Sequence, residues 1–244
     1  MNSLQHMDEF KQVLANYQLS QESRTILTQT KLVLLLGPTS SGRNTIINEL
    51  LKSGDYHFIV SDTTRAPRTN QGVIEQDGID YWFRQEEDVL ADLKDGKFLE
   101  AEVIHAQQVS GISMRELQKA VEAGKIAIND VDVSGVRNVI DLKPDTVAIM
   151  VLPPSFKEWQ RRLTGRGEMS PADLRHRMDT AVRVFTESSQ SYYKFVINDT
   201  VDHAAQQIRQ IVESQKVDEA LQNVCKALAE QLLTDTKKYI STLD

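Results

Sequence analysis

A single cysteine, Cys225, stands among 244 residues, so no disulfide can close within the chain and a reducing compartment is expected. No apolar run approaches the roughly 18 residues of a membrane span. The N-terminus, MNSLQHMDEF, is polar and acidic where a leader would be basic and then apolar, and the expectation is a cytoplasmic protein with no membrane partner. The five histidines (His6, His57, His105, His176, His203) follow no spacing that would cage a metal, so no protein-ligated metal is expected. Positive charge is in short supply: 28 Lys and Arg against 35 Asp and Glu leave a net charge of −7, which argues against nucleic acid as a bulk partner. A local group of arginines can still bind an anion whatever the sum. Internal repeats and low-complexity linkers are missing as well.

What is present is 40% apolar residues, enough for a core, in a pattern of strands alternating with helices. The run KLVLLL at 31–36 stops at a glycine and reads as a buried parallel strand. Further strands are expected at 125–131, 146–152 and 195–197, and helices at 46–52, 114–122, 155–163, 171–192 and 203–214. Residues 60–124 read as short mixed segments. Such alternation predicts an α/β fold with a mainly parallel sheet flanked by helices. Before the first strand, Phe10, Val13, Leu14 and Tyr17 share a helical face and predict a short amphipathic helix in a 1–29 extension. From 217 on, Leu221, Val224, Cys225, Leu228 and Leu232 recur at helical steps, predicting an amphipathic helix that packs on its own domain or, alternatively, on a partner.

Gly37, Pro38, Thr39, Ser40, Ser41, Gly42, Arg43, Asn44 and Thr45 link the first strand to a helix. Strand, spaced glycines and helix in that order match the G-x-x-x-x-G-K-[ST] phosphate loop in spacing and context, which predicts ATP binding. The glycines let the backbone wrap a phosphate, and the helix N-terminus adds free N–H donors. Two positions differ. Arg43 stands where a lysine bridges the outer phosphates, and Asn44 stands where a hydroxyl approaches magnesium, with Thr45 the nearest hydroxyl. Arginine keeps the charge but spreads it over a planar fork. The bland alternative is a plain Gly/Ser-rich turn.

Further along comes Ser61, Asp62, Thr63, Thr64, Arg65, Ala66, Pro67, Arg68. Two arginines three apart, stiffened by a proline, can aim both forks at one phosphate. With Asp77-Gly-Ile-Asp-Tyr81-Trp-Phe83 and Gly96-Lys-Phe-Leu-Glu100 following, the chain resembles the guanylate kinase family, whose motifs read S-x-T-T-R-x-P-R, D-G-x-D-Y-x-F and G-x-F-L-E. The resemblance continues through Asp132-Val-Ser-Gly135, Leu152-Pro-Pro-Ser155, Arg162-Leu-Thr-Gly165-Arg166-Gly167, Arg177 and Val196-Ile-Asn-Asp199, covering about 31–215.

The resemblance implies a P-loop NTPase-type core (30–59 and 125–215, the latter with a mobile lid), an inserted GMP-binding region at 60–124, and helical extensions at 1–29 and 216–244. It implies transfer of the terminal phosphoryl group of ATP, with Mg2+, to GMP or dGMP. Ser61, Arg65, Arg68 and Tyr81 would hold the acceptor phosphate. Glu100 and Asp132 would read guanine by accepting from N1–H and the 2-amino group. Arg43 with the lid arginines Arg162, Arg166 and Arg177 would stabilise the transferring group. Arg162 and Arg166, four apart, would share a face if their helix continues. The family's Y-Y-G-[ST]-S is replaced by Val109-Ser110-Gly111-Ile112-Ser113, which loses a tyrosine and leaves open whether Ser110 or Ser113 serves the base. Arg43, Asn44 and this stretch suit an alternative, a binding module of the same fold that has lost transfer; the acceptor motif and the lid arginines oppose it.

Overall fold

The computed structural model describes residues 4–70, 72–165, 169–214 and 216–243. Among them the elements run α1 (Met7–Ala15), α2 (Gln21–Gln29), β1 (Leu32–Leu36), α3 (Arg43–Leu51), β2 (Tyr56–Phe58) and β3 (Asp62–Thr63). A ribbon, β4 (Thr69–Asn70) with β5 (Val73–Ile74), precedes β6 (Trp82–Phe83), α4 (Glu86–Lys94), β7 (Phe98–Ile104), β8 (Gln108–Ser113) and α5 (Met114–Glu122). Then come β9 (Ile126–Asp130), α6 (Val133–Leu142), β10 (Val147–Leu152), α7 (Phe156–Thr164), α8 (Pro171–Thr186), β11 (Tyr193–Ile197), α9 (Val201–Ser214) and α10 (Glu219–Ile240). By its contacts the chain forms two units, Met1–Lys31 with His57–Ala127, and Leu32–Tyr56 with Ile128–Asp244.

The second unit carries β11, β10 and β1 of the sheet ordered β11-β10-β1-β9-β2, with Tyr56 of β2 and the later residues of β9. Pairing of β1 with β10 and of β10 with β11 is parallel, as the continuous apolar runs at LVLLL and VAIMVL demand: all of β1 and nearly all of β10 are buried. The core gathers Met150, Trp159, Phe185, Phe195, Cys225 and Leu232. Helix starts follow their caps, with Ser155 accepting from Glu158 N, and Ser170 accepting from Asp173 N ahead of Pro171. The helix expected to reach 192 stops at Thr186. There the hydroxyls of Ser188 and Ser189 donate to the carbonyls of Phe185 and Thr186 and compete with the helical ladder.

The C-terminal helix α10 packs on α8, β11 and α7 of its own unit. Its buried line is Gln222, Cys225, Ala229, Leu232 and Thr236, with Leu221 and Leu228 at the margin. Val224 does not belong to it and is 60% exposed, because it lies about 100° round the helix from Cys225.

In the first unit, β6-β3-β8-β7 form a sheet in which β8 is antiparallel to both β3 and β7. Its apolar face meets a cluster of Leu4, Phe10, Val89, Leu90, Leu93, Phe98 and Val109. The expected N-terminal helix is α1, which ends at Ala15, so Tyr17 lies beyond it; α2 was not anticipated and starts at the cap Ser20. A register shift between Phe98 and Glu100 marks a bulge in β7.

Candidate functional site

In the second unit, the buried strand β1 runs into the 37–45 loop and the loop into α3. Gly37 is required by crowding, since a Cβ there would stand 2.6 Å from both Ser41 Oγ and Val151 O. Gly42 is required by its φ of 94° and by the amide of Asn198 packed against it. Two loop carbonyls are held from outside: Trp159 Nε1 donates to Thr39 O at 2.7 Å, and Asn198 Nδ2 donates to Ser41 O at 2.7 Å. Pinning the carbonyls fixes the peptide planes, while the first N–H groups of α3 have no intrahelical acceptor. The hydroxyls of Ser40 and Ser41 are buried with no partner among the described residues. A rigid, N–H-lined turn with unspent buried hydroxyls is suited to an anion. Asn44 and Thr45 are exposed at the start of α3.

Arg43, the first residue of α3, reaches the end of β9: Nη1 donates to Val131 O at 3.3 Å and Nη2 lies 3.5 Å from Asp130 Oδ2. Arg162 on α7 bonds Glu158 and donates to Asn198 O at 3.0 Å, so it braces the asparagine that braces the loop. Helix α7 is described as far as Thr164, and the face expected to be shared by Arg162 and Arg166 depends on Arg166, which lies outside the described residues. Arg177, half-buried on α8, pairs with no carboxylate among the described residues. Asp132 caps α6, accepting from Gly135 N at 2.8 Å through Oδ1.

In the first unit, Arg65 makes a two-nitrogen pair with Glu75 and lies over the rings of Tyr81 (4.7 Å) and Phe83 (5.6 Å). Arg68 donates its backbone N–H to the same carboxylate at 2.8 Å and its Nη2 to Gln108 Oε1 at 3.4 Å. Hydrogen bonding from Arg65, ahead of the opposing effect of burial, holds the Glu75 carboxyl down at about 2. Ser61 opens β3, its carbonyl accepting from Trp82 N. Next to it, Asp62 is buried between Arg84 and Arg115, each at 2.8 Å; burial raises its pKa against the pull of both arginines.

Strand register sorts the remaining side chains. Glu100 pairs with Ile112, Glu102 with Ser110, Ile104 with Gln108, and Ser110 with Thr63, so these share one face of the sheet. Ser110 Oγ donates to Thr63 Oγ1 at 2.8 Å. Ser113 pairs with Phe98 on the opposite, core face, which places Ser110 and not Ser113 on the face of Glu100.

The structure thus brings Arg65, Arg68 and Tyr81 together, carries Glu100 on the neighbouring sheet, and places Arg43, Arg162, Arg177 and Asp132 with the loop's unit. Sequence reasoning missed Glu75, Gln108 and Thr63. Glu75 had one usable signal, an acidic residue within a short ribbon of two arginines that need a counter-charge. Among the described residues no three His, Cys, Asp or Glu side chains gather to hold a metal ion, and no helix is long and apolar enough to cross a membrane.

A family model described as guanylate kinase matches residues 29–215. The guanylate kinase of Corynebacterium diphtheriae is 35% identical over 184 residues, covering 75% of this chain and 94% of that one. That of Bifidobacterium longum is 33% identical over 187 residues, covering 75% and 93%. Among solved structures, a guanylate kinase from Anaplasma phagocytophilum aligns with a TM-score of 0.56 at 22% identity, covering 78% of this chain and 87% of that one, a likeness of fold.

Proposed function

The chain belongs to the guanylate kinase family, and from that premise we propose that it transfers the terminal phosphoryl group of ATP to GMP or dGMP, giving ADP and GDP. An oxygen of the acceptor phosphate forms the new bond to the γ-phosphorus as the bond to the β–γ bridging oxygen breaks. The observation that carries the reading is the cluster around Arg65: its guanidinium is gripped by Glu75 and lies over the Tyr81 ring, while Arg68, tied to the same carboxylate by its backbone N–H, sends its own guanidinium to Gln108 beside it. In the proposed complex Arg65, Arg68, Tyr81 and Ser61 hold the GMP phosphate through charge-assisted and neutral hydrogen bonds. Glu100 and Asp132 accept from the guanine N1–H and 2-amino groups, donors that adenine lacks on that edge.

Residues 37–45 cradle the ATP phosphates with backbone N–H groups and the hydroxyls of Ser40 and Ser41. Asn44 and Thr45, with Asp130 beside Arg43, are oxygen donors of the kind a hard cation takes, so they fit magnesium carried mainly by the nucleotide. When bound, the ion neutralises phosphate charge. Arg43 supplies the charge of the usual lysine. Arg162, Arg166 and Arg177 neutralise the group in flight, where electrostatic stabilisation contributes most.

A coupled assay of ADP formation with magnesium and a panel of nucleoside monophosphates tests the proposal. GMP and dGMP are expected to be the best acceptors. Comparable turnover with AMP or CMP would defeat the assignment.

A further inference from the structure

The bulge that aims Glu100 is held by a segment that lies outside the matched family region. β7 is the end strand of its sheet, so one side of its backbone has no strand neighbour. At Phe98 that open side is closed by Tyr17, whose hydroxyl accepts from Phe98 N–H at 2.7 Å and donates to Phe98 C=O at 2.6 Å. A hydroxyl can play both parts at once. Just upstream, Ser20 N and Ser23 Oγ both donate to Gly96 O, at 3.1 and 2.7 Å. A Cβ at Gly96 would stand 2.5 Å from Ser20 N and 2.6 Å from Gln18 O, so residues 18–20 are seated directly on it.

The geometry at this spot decides where Glu100 points. Side chains two apart on a regular strand share a face, so Phe98 and Glu100 would both enter the core or both leave it. Instead Phe98 is fully buried in the apolar cluster with Ala101 and Val103 alongside, while Glu100 pairs with Ile112 on the other face. The extra residue at Leu99 makes the difference, as a bulge re-aims the side chain that follows it. A bulge at a sheet edge has few ladder bonds to keep it, and here the Tyr17 hydroxyl supplies two.

We propose that the N-terminal extension is a positioning device for base selection: Tyr17, with Ser20 and Ser23, locks the backbone at Gly96 and Phe98 and so holds the bulge that turns Glu100 toward the base. This rests on the reading of Glu100 as a guanine-binding carboxylate. Tyr17 is a positioning residue, acting through Glu100 without touching substrate.

The test uses the full chain and compares GMP with IMP, which keeps N1–H and lacks the 2-amino group, so the ratio of their kcat/KM values reads the aim of the carboxylate. Tyr17→Phe leaves the ring in the cluster and removes only the hydroxyl. It is expected to lower the GMP/IMP ratio about five- to tenfold, the scale of one hydrogen bond, with KM for ATP unchanged. Ser23→Ala is expected to move the ratio the same way, by less. A lower melting temperature with an unaltered ratio in both variants overturns the proposal and leaves the extension as packing alone. Should Tyr17→Phe not fold, Ser23→Ala decides by the same criterion. Glu100→Gln run alongside separates the two layers. If it leaves kcat/KM for both acceptors unchanged, Glu100 does not read guanine and both readings fall; if it lowers both alike, Glu100 reads N1–H and Tyr17→Phe and Ser23→Ala are judged by the fall in kcat/KM for GMP at unchanged KM for ATP. If it collapses the ratio while the other variants leave it intact, only the positioning role falls.

Discussion

At Glu116 a side chain only 2% exposed accepts from Lys119 Nζ at 2.7 Å, Trp82 Nε1 at 3.1 Å, the His57 imidazole at 3.2 Å and Val60 N at 3.3 Å. Burial alone would raise its pKa; the hydrogen bonds from His57, Lys119 and Val60 outweigh it and bring the carboxyl to about 2, below the ordinary 4.5. The unfolded chain therefore takes up this proton first as pH falls. The stability Glu116 contributes is complete above about pH 4.5 and is lost progressively toward pH 2. Thermal melts across that range are expected to show the fall in wild type and a flatter profile in Glu116→Gln, which starts from a lower melting temperature at neutral pH. An unchanged slope in the variant would assign the acid sensitivity to other carboxylates. Residues such as Arg65, Arg68 and the loop glycines are legible in sequence because their chemistry is local: a proline fixes the arginine spacing and a φ of 94° demands Gly42. Glu75 left only a faint local signal, and the roles of Glu116 and of the Tyr17 hydroxyl are not legible, because each acts across a contact that only the folded backbone brings about.

At the level of elements, α10 offers the plainest contrast. Leu232 is 1% exposed and Val224 60%, on the same helix and both apolar. Leu232→Ala is expected to cost about 2–5 kcal/mol through lost burial and a residual cavity, while Val224→Ala should stay within about 0.5 kcal/mol. Denaturant melts of the two variants check this, and equal costs would mean that the helix is rotated from its observed phase. The stripe was readable at three- and four-residue steps, yet period alone admitted Val224, because five apolar positions span more of the helix surface than a core contact covers. Parallel strands such as β1 and β10 were legible as unbroken apolar runs closed by glycine or proline. The β6-β3-β8-β7 sheet was not: β3 and β6 are two residues long, and a bulge breaks the alternation of β7 where a period-two reading would look for it. The end of α8 went unread for a related reason, since Ser188 and Ser189 end it by side-chain bonds that helical periodicity does not encode.

For the whole molecule, the proposed division of labour assigns the ATP phosphates and the acceptor phosphate to different units, with the 37–45 loop and Arg43 in one and Arg65, Arg68 and Tyr81 in the other. Two single substitutions should then separate binding from turnover in opposite senses. Arg43→Ala removes the charge at the head of α3 and is expected to cut kcat by roughly 100- to 1000-fold, the scale of losing one preorganised electrostatic group, with GMP affinity by calorimetry nearly unchanged. Arg68→Ala leaves the loop intact and should raise KM for GMP about 10- to 100-fold, the range for a lost charge-assisted hydrogen bond, with ATP affinity retained. Arg43→Lys is expected to sustain turnover, since a compact ammonium suits the loop, although it gives up the fork that reaches both Val131 O and Asp130. The measurement is GMP-dependent ADP production by wild type and all three variants at one magnesium concentration, with GMP and ATP titrations of each. Full activity in Arg43→Ala would remove Arg43 from the chemistry. No ADP above a no-enzyme control in wild type, with GMP still bound through Arg68, would make the chain a binding module that has kept its acceptor half.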